Sequence, residues 1–193
     1  MENEVDRLGI TRASRPGVHL LCLATVFVLL LVCAPPRMHA QQDERAVRAA
    51  YVYNLTKYVY WPHNGNELLI GVVGDKSMDQ ALKSVVDGKR SDERVIHILL
   101  HPSDADLARC DMVYFAGPAT AYPHDILDHP HTSSTLTVGE DDHFVLSGGM
   151  VALIRTGDQI QLEVNPDAAN AAGLRISSRL LNLAVIVDSG KRG

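Results

Sequence analysis

LLIGVVGDKSMDQALKSVVDGKRSDERVIHILLHPSDADLARCDMVYFA, residues 68–116, is the stretch that decides the architecture. It holds three short runs, 68–73 (LLIGVV), 94–100 (RVIHILL) and 112–116 (MVYFA), each nearly continuous in apolar residues. Runs of this length and kind are strands buried on both faces, as in a sheet covered by helices. Between the first two, Met78, Ala81, Leu82 and Val85 recur at helical spacing, so 78–86 reads as a helix closed by Gly88. Gly74-Asp75, His101-Pro102-Ser103 and Gly117-Pro118 bound the strands with turn residues. The alternation predicts an α/β fold, a single domain on a mixed β-sheet flanked by helices.

Downstream, 135–138 reads as a further strand, and 150–155 and 159–164 as the arms of a β-hairpin turning at Thr156-Gly157-Asp158. Gln159, Gln161 and Glu163 alternate with Ile160, Leu162 and Val164, the pattern of a strand with one wet face. Asn165-Pro166-Asp167 supplies a helix N-cap, a proline at the first helical position and an acid in the first turn. That Ala-rich helix ends at Gly173. A last helix is expected from about 177 to 187, with Leu180, Leu181, Ala184 and Val185 facing inward. The domain thus ends in a C-terminal β-hairpin followed by two helices, and 189–193 is expected to be a flexible tail.

Upstream, 50–62 (AYVYNLTKYVYWP) holds five of the ten aromatic residues of the chain, which marks it as a specialised packing surface. Ala46, Val47, Ala50, Tyr51, Asn54, Leu55, Tyr58 and Val59 form one face of an expected helix over 44–60, and Pro62 stops it. Farther up, Arg12 and Arg15 precede an apolar run over 18–34, followed by Pro35-Pro36 and Met38-His39-Ala40. This is the pattern of an export signal cut after Ala40, the alternative being an uncleaved anchor. Residues 1–40 are therefore set apart from a domain over 41–188.

Residues 41–193 keep 14 basic and 20 acidic side chains, a net charge of −6. That balance argues against a nucleic-acid partner, which needs clustered Lys and Arg. Cys22 and Cys33 fall in the expected signal, so Cys110 remains alone and the domain holds no internal disulfide. Cys110 reads as a small buried hydrophobe. No Gly-rich phosphate loop is present, and Ser147-Gly148-Gly149 lacks the leading glycine of a nucleophile elbow, so it reads as a tight bend. The histidines and acids at His124, Asp125, Asp128, His129, His131, Asp141, Asp142 and His143 match no metal spacing, and Pro123 and Pro130 break their register. The reading is non-enzymatic, with no cofactor and no metal.

The most distinctive polar group is LRISSRLLNLA (174–184), where Arg175, Ser177, Ser178 and Arg179 stand at the entrance of the expected last helix. Guanidinium groups there oppose the helix dipole and call for a partner, such as Glu163 or a bound anion. The candidate contact surface is accordingly Glu163, Asn165, Asp167, Arg175, Ser177, Ser178 and Arg179. A second arrangement has Lys57, Trp61, Arg175 and Arg179 lining a pocket for an anionic or aromatic metabolite, with the indole stacking and the arginines forking an acid.

Several blocks resemble the YfiR family. Tyr53-Asn54-Leu55-Thr56-Lys57-Tyr58-Val59 with Trp61-Pro62 is similar to its opening helix, Leu136-Thr137-Val138-Gly139 to one of its strands, and Gly148-Gly149-Met150 to its turn. Leu162-Glu163-Val164-Asn165 and Ala171-Ala172-Gly173-Leu174-Arg175-Ile176-Ser177-Ser178-Arg179-Leu180-Leu181 are similar to its closing blocks. The resemblance implies an exported, periplasmic regulator that binds the periplasmic region of an inner-membrane diguanylate cyclase or sensor kinase. Such a protein lowers cyclic di-GMP and biofilm formation by repression. Many members carry cysteine at the position of Gly71, able to pair with the one at Cys110; this chain lacks that partner, which puts redox control in doubt. A homodimer and a small-molecule ligand are left open.

Overall fold

Leu68, Ile70 and Val72 alternate along the first apolar run with Leu69, Gly71 and Val73, and each set meets its own core, as the two-residue period of a strand requires. The computed structural model describes residues 37–62, 65–118 and 134–187, with side chains from Glu44 onward. The export signal expected over 1–40 lies almost wholly outside the described residues, as do the tail 189–193 and the histidines at 124, 129 and 131. Among the described residues, no helix is long and apolar enough to cross a membrane.

Helix α1 (Arg37–Tyr58) runs into the short strand β1 (Val59–Tyr60) and then β2 (Glu67–Gly74). A 3-10 turn (Lys76–Met78) opens α2 (Asp79–Val85), followed by β3 (Arg90–Ser91), β4 (Arg94–Leu100), α3 (Asp104–Leu107) and β5 (Met112–Ala116). The second half holds β6 (Leu136–Gly139), the hairpin β7 (Val151–Thr156) and β8 (Gln159–Val164), α4 (Pro166–Ala171), β9 (Arg175–Ile176), α5 (Ser178–Leu181) and β10 (Val185–Ile186). The main sheet has the order β10-β8-β7-β6-β5-β2-β4-β3. Strands β4, β2, β5, β6 and β7 are mutually parallel, whereas β8 runs antiparallel to β7 and β3 to β4.

The chain leaves β2 for β4 on one side, then crosses to β5 on the other. Leu82 of α2 belongs to the core of one face and Leu107 of α3 to that of the other. A right-handed crossover in each direction needs opposite faces, so reversing direction along the sheet also moves the helix through it. The reversal leaves a switch point between the carboxyl ends of β2 and β5.

Two expectations change. The buried face of α1 is Arg48, Ala49, Val52, Leu55 and Thr56, continued by Val59 of β1, while Ala46, Val47 and Asn54 are exposed. The inward stripe is thus turned by one residue, about 100° of helix. The cause is that Arg48 is buried with partners, and the tyrosine hydroxyls seek polar outlets at the stripe's margin: Tyr51 donates to the Ile160 carbonyl at 3.3 Å and Tyr53 to that of Arg90 at 3.0 Å. The last helix stops at Leu181 rather than continuing to 187, and β10 runs parallel to β8 instead. Val185-Ile186-Val187 is a β-branched run, which loses more side-chain freedom in a helix than against a free strand edge.

The 148–149 bend has a steric reason. Gly148 takes φ +103°, and Phe144 lies over Gly139 and Gly149 so closely that a Cβ at either would stand 2.4 or 2.2 Å from its ring. Phe144 also packs against Phe115 at 5.4 Å between centroids, closing the second core. Gly149→Ala should therefore overpack this site and cost about 1–3 kcal/mol. Urea unfolding would show a lower midpoint at an unchanged slope; an unaltered midpoint would contradict the packing described.

Candidate functional site

The two most distinctive sequence blocks, near the beginning and the end of the domain, meet in space. β1 and β9 form an antiparallel ribbon with Val59 opposite Ile176 and Tyr60 opposite Arg175, and the Ser177 amide donates to the Tyr58 carbonyl at 2.8 Å. Tyr60 is 54% exposed, and the Arg175 guanidinium lies 5.8 Å from its ring centroid. Lys57 is exposed, 4.0 Å over the Tyr53 ring. Ser177 caps α5 by accepting from the Leu180 amide at 3.4 Å, with Ser178 and Arg179 exposed in the first turn behind it. The ribbon and α5 therefore present cations and a tyrosine to solvent.

Only Arg179 stands in a helical first turn; Arg175 is on β9, away from any dipole conflict. Glu163 pairs with neither arginine among the described residues, and its carboxylate accepts from Gln161 Nε2 at 3.3 Å. Asn165 is fully buried and caps α4, accepting from the Ala168 amide at 3.0 Å, while Asp167 is exposed in the first turn of that helix. Trp61 serves the fold: its indole donates to the Asp111 carbonyl at 2.9 Å, and Arg94 lies 5.6 Å over the ring while pairing with the Asp111 carboxylate at 2.7 Å. Lys57, Trp61, Arg175 and Arg179 line neither of the two cavities described here.

The larger of these is a groove of about 480 Å³ between α1 and the β7–β8 hairpin, lined by Val47, Tyr51, Arg155, Asp158 and Ile160 among others. The smaller, about 180 Å³, opens at the carboxyl ends of the parallel strands and is lined by Glu44, Arg45, Arg48, Asp75, Ser77, Met78 and Glu140. Its wall is a buried charged network. Arg48, 7% exposed, bonds to Glu44 at 2.8 Å and to the Leu153 carbonyl at 2.6 Å, and lies 3.8 Å from Glu140. Glu140 in turn accepts from the Tyr114 hydroxyl and, at 3.1 Å, from the Gly117 amide, while Glu44 also binds Arg155. Burial, then the Glu140 carboxylate, push the Tyr114 phenol well above its ordinary range, so it remains a donor. Sequence reading missed this network. Its one signal was an arginine, Arg48, at a position in step with the buried Val52, Leu55 and Val59.

A family model described as YfiR/HmsC-like matches residues 45–185, and so spans both arms of the ribbon. The chain belongs to that family. Members of the YfiR/HmsC-like family are periplasmic regulators of diguanylate cyclases rather than enzymes. No curated protein matches the chain. In this YfiR/HmsC-like chain Cys110 is free and buried; burial, then the Asp111 carboxylate, push its thiol up to about 11. The reactive thiolate is therefore scarce at neutral pH. A Cβ built on Gly71 would lie 3.0 Å from the Cys110 sulfur, the separation across a sulfur–sulfur bond of about 2.05 Å. Gly71→Cys should consequently close a bridge to Cys110 under oxidising conditions, read as loss of both free thiols by mass spectrometry. Two thiols that persist in the oxidised protein would contradict this geometry. The unaltered chain should leave Cys110 unlabelled by iodoacetamide while folded.

Proposed function

We propose that this protein is a non-enzymatic periplasmic repressor that binds the periplasmic sensor region of an inner-membrane diguanylate cyclase, lowering cyclic di-GMP and biofilm formation. Family membership supports the class of protein. The observation that carries the reading to a surface is the β1–β9 ribbon, which joins the two most distinctive blocks and leaves Tyr60, Arg175, Lys57, Ser178 and Arg179 outward. Tyrosine and arginine are the side chains that concentrate binding energy at protein interfaces, because they bury large area and still satisfy polar groups. A cationic face on a domain of net charge −6 (residues 41–193) also orients its approach to an acidic receptor surface.

Repression follows if the ribbon fits the inactive receptor better than the active one, since only the difference in affinity moves the equilibrium. Each tenfold preference is worth about 1.4 kcal/mol, so modest contacts suffice to hold a poised cyclase off. Glu163, Asn165 and Asp167 lie elsewhere, at the β8–α4 junction, and the buried cap Asn165 acts there through the backbone it fixes.

Deleting the gene should raise cellular cyclic di-GMP, and re-expressing the native protein should lower it again. Arg175→Glu with Arg179→Glu should fail to restore repression while the purified variant keeps the melting temperature of the native protein. A charge-reversed double variant that represses fully would overturn the assignment of the ribbon as the receptor surface.

A further inference from the structure

We propose that the crevice at the switch point is a binding site for a compact zwitterion, a molecule of small amino-acid size carrying one carboxylate and one ammonium. The inference is independent of which receptor is bound, because it concerns a different face of the domain from the ribbon.

Position comes first. In an open sheet whose crossovers reverse direction, neighbouring connections diverge and leave a hollow beyond the strand carboxyl ends, where ligands gather. Here the reversal lies between β2 and β5, where the Asp75 amide donates to the Ala116 carbonyl at 3.0 Å, and the hollow is the crevice lined from Asp75, Ser77, Glu140 and the facing turn of α1. Its volume of about 180 Å³ holds roughly six waters, or a molecule with about as many non-hydrogen atoms as alanine.

The charge inventory gives the chemistry. Arg48, Glu44, Glu140 and Arg155 answer one another in the wall network and sum to zero. Two lining charges are left without a charged partner among the described residues: Arg45 on α1 and Asp75 after β2. Asp75 gives one oxygen to the Ser77 amide at 2.8 Å, and its other oxygen accepts from no described donor. Thus one guanidinium and one carboxylate stand on different elements of a single small hollow, which Ser77 and Met78 also line. Arg45 can fork the carboxylate of a ligand while Asp75 receives its ammonium. A ligand with one pole would leave the opposite charge unanswered. Joining α1 to the end of β2 in this way would connect the ligand to the helix that leads directly into β1.

Isothermal titration calorimetry on the full-length protein tests the site, with L-alanine and L-serine as probes and propionate and ethylammonium as single-pole controls. The amino acids should bind saturably, with each control at least about tenfold weaker. Arg45→Gln and Asp75→Asn should each weaken alanine binding by about tenfold or more, with the ligand-free melting temperature unchanged. Because these half-buried and exposed residues sit on separate elements, a folding defect in one leaves the other as the test. Absence of binding by both amino acids at millimolar concentration would overturn the proposal. So would binding by propionate as tight as by alanine, or full affinity in both variants.

Discussion

A buried guanidinium organises this domain. Arg48 sits on the inward stripe of α1, where a cation without partners would cost several kcal/mol. Its answer is assembled from Glu44, one turn earlier on the same helix, and from two groups about a hundred residues away, Glu140 just after β6 and the Leu153 carbonyl on β7. Glu44 moves with the helix, so the contacts to Glu140 and to the Leu153 carbonyl are the ones that set the rotation and axial position of α1 on the sheet. Apolar packing of Ala49, Val52 and Leu55 favours association but is indifferent to small slips. The charged network supplies the register. It also reaches Tyr114 in the middle of β5, through Glu140, so the strand ends around the switch point are tied to the same helix.

With α1 placed, its far end delivers β1 to β9, and Trp61 to the Asp111 carbonyl at the amino end of β5. Asp111 is the second anchor there: its carboxylate takes the Arg94 guanidinium and the Leu69 amide at 2.8 Å, and its carbonyl takes the indole. The aromatic block at 50–62 is therefore structural at Trp61 and Tyr53 and outward at Tyr60. A single segment can hold the fold and offer a contact at once, because β1 turns Val59 into the core and Tyr60 outward.

The strands were legible wherever consecutive apolar residues left no alternative, and 94–100 and 112–116 match their expected bounds. The Asn165-Pro166 start of α4 was legible for a local reason, since the cap lies within three residues of the amide it satisfies. What could not be read were partnerships across the chain. Arg48 falls outside the stripe expected from the sequence, and its buried place depends on Glu140, 92 positions later. Val185-Ile186-Val187 has apolar residues that suit either a helix or a strand, and only the free edge of β8 decides between them. The dipole argument for the arginines at 175 and 179 assumed a helix that Arg175 does not join.

Arg48 and Glu140, 3.8 Å apart, should act as a unit in fixing α1 on the sheet. A double-mutant cycle on urea stability, with Arg48→Met and Glu140→Gln singly and together, measures that directly. Each single change should cost about 3 kcal/mol or more, because each strands a buried group. The double variant should then recover about 1–3 kcal/mol relative to the sum of the two. Strict additivity of the single effects, within about 0.5 kcal/mol, would show that the two residues contribute separately and that α1 is not held by their pairing.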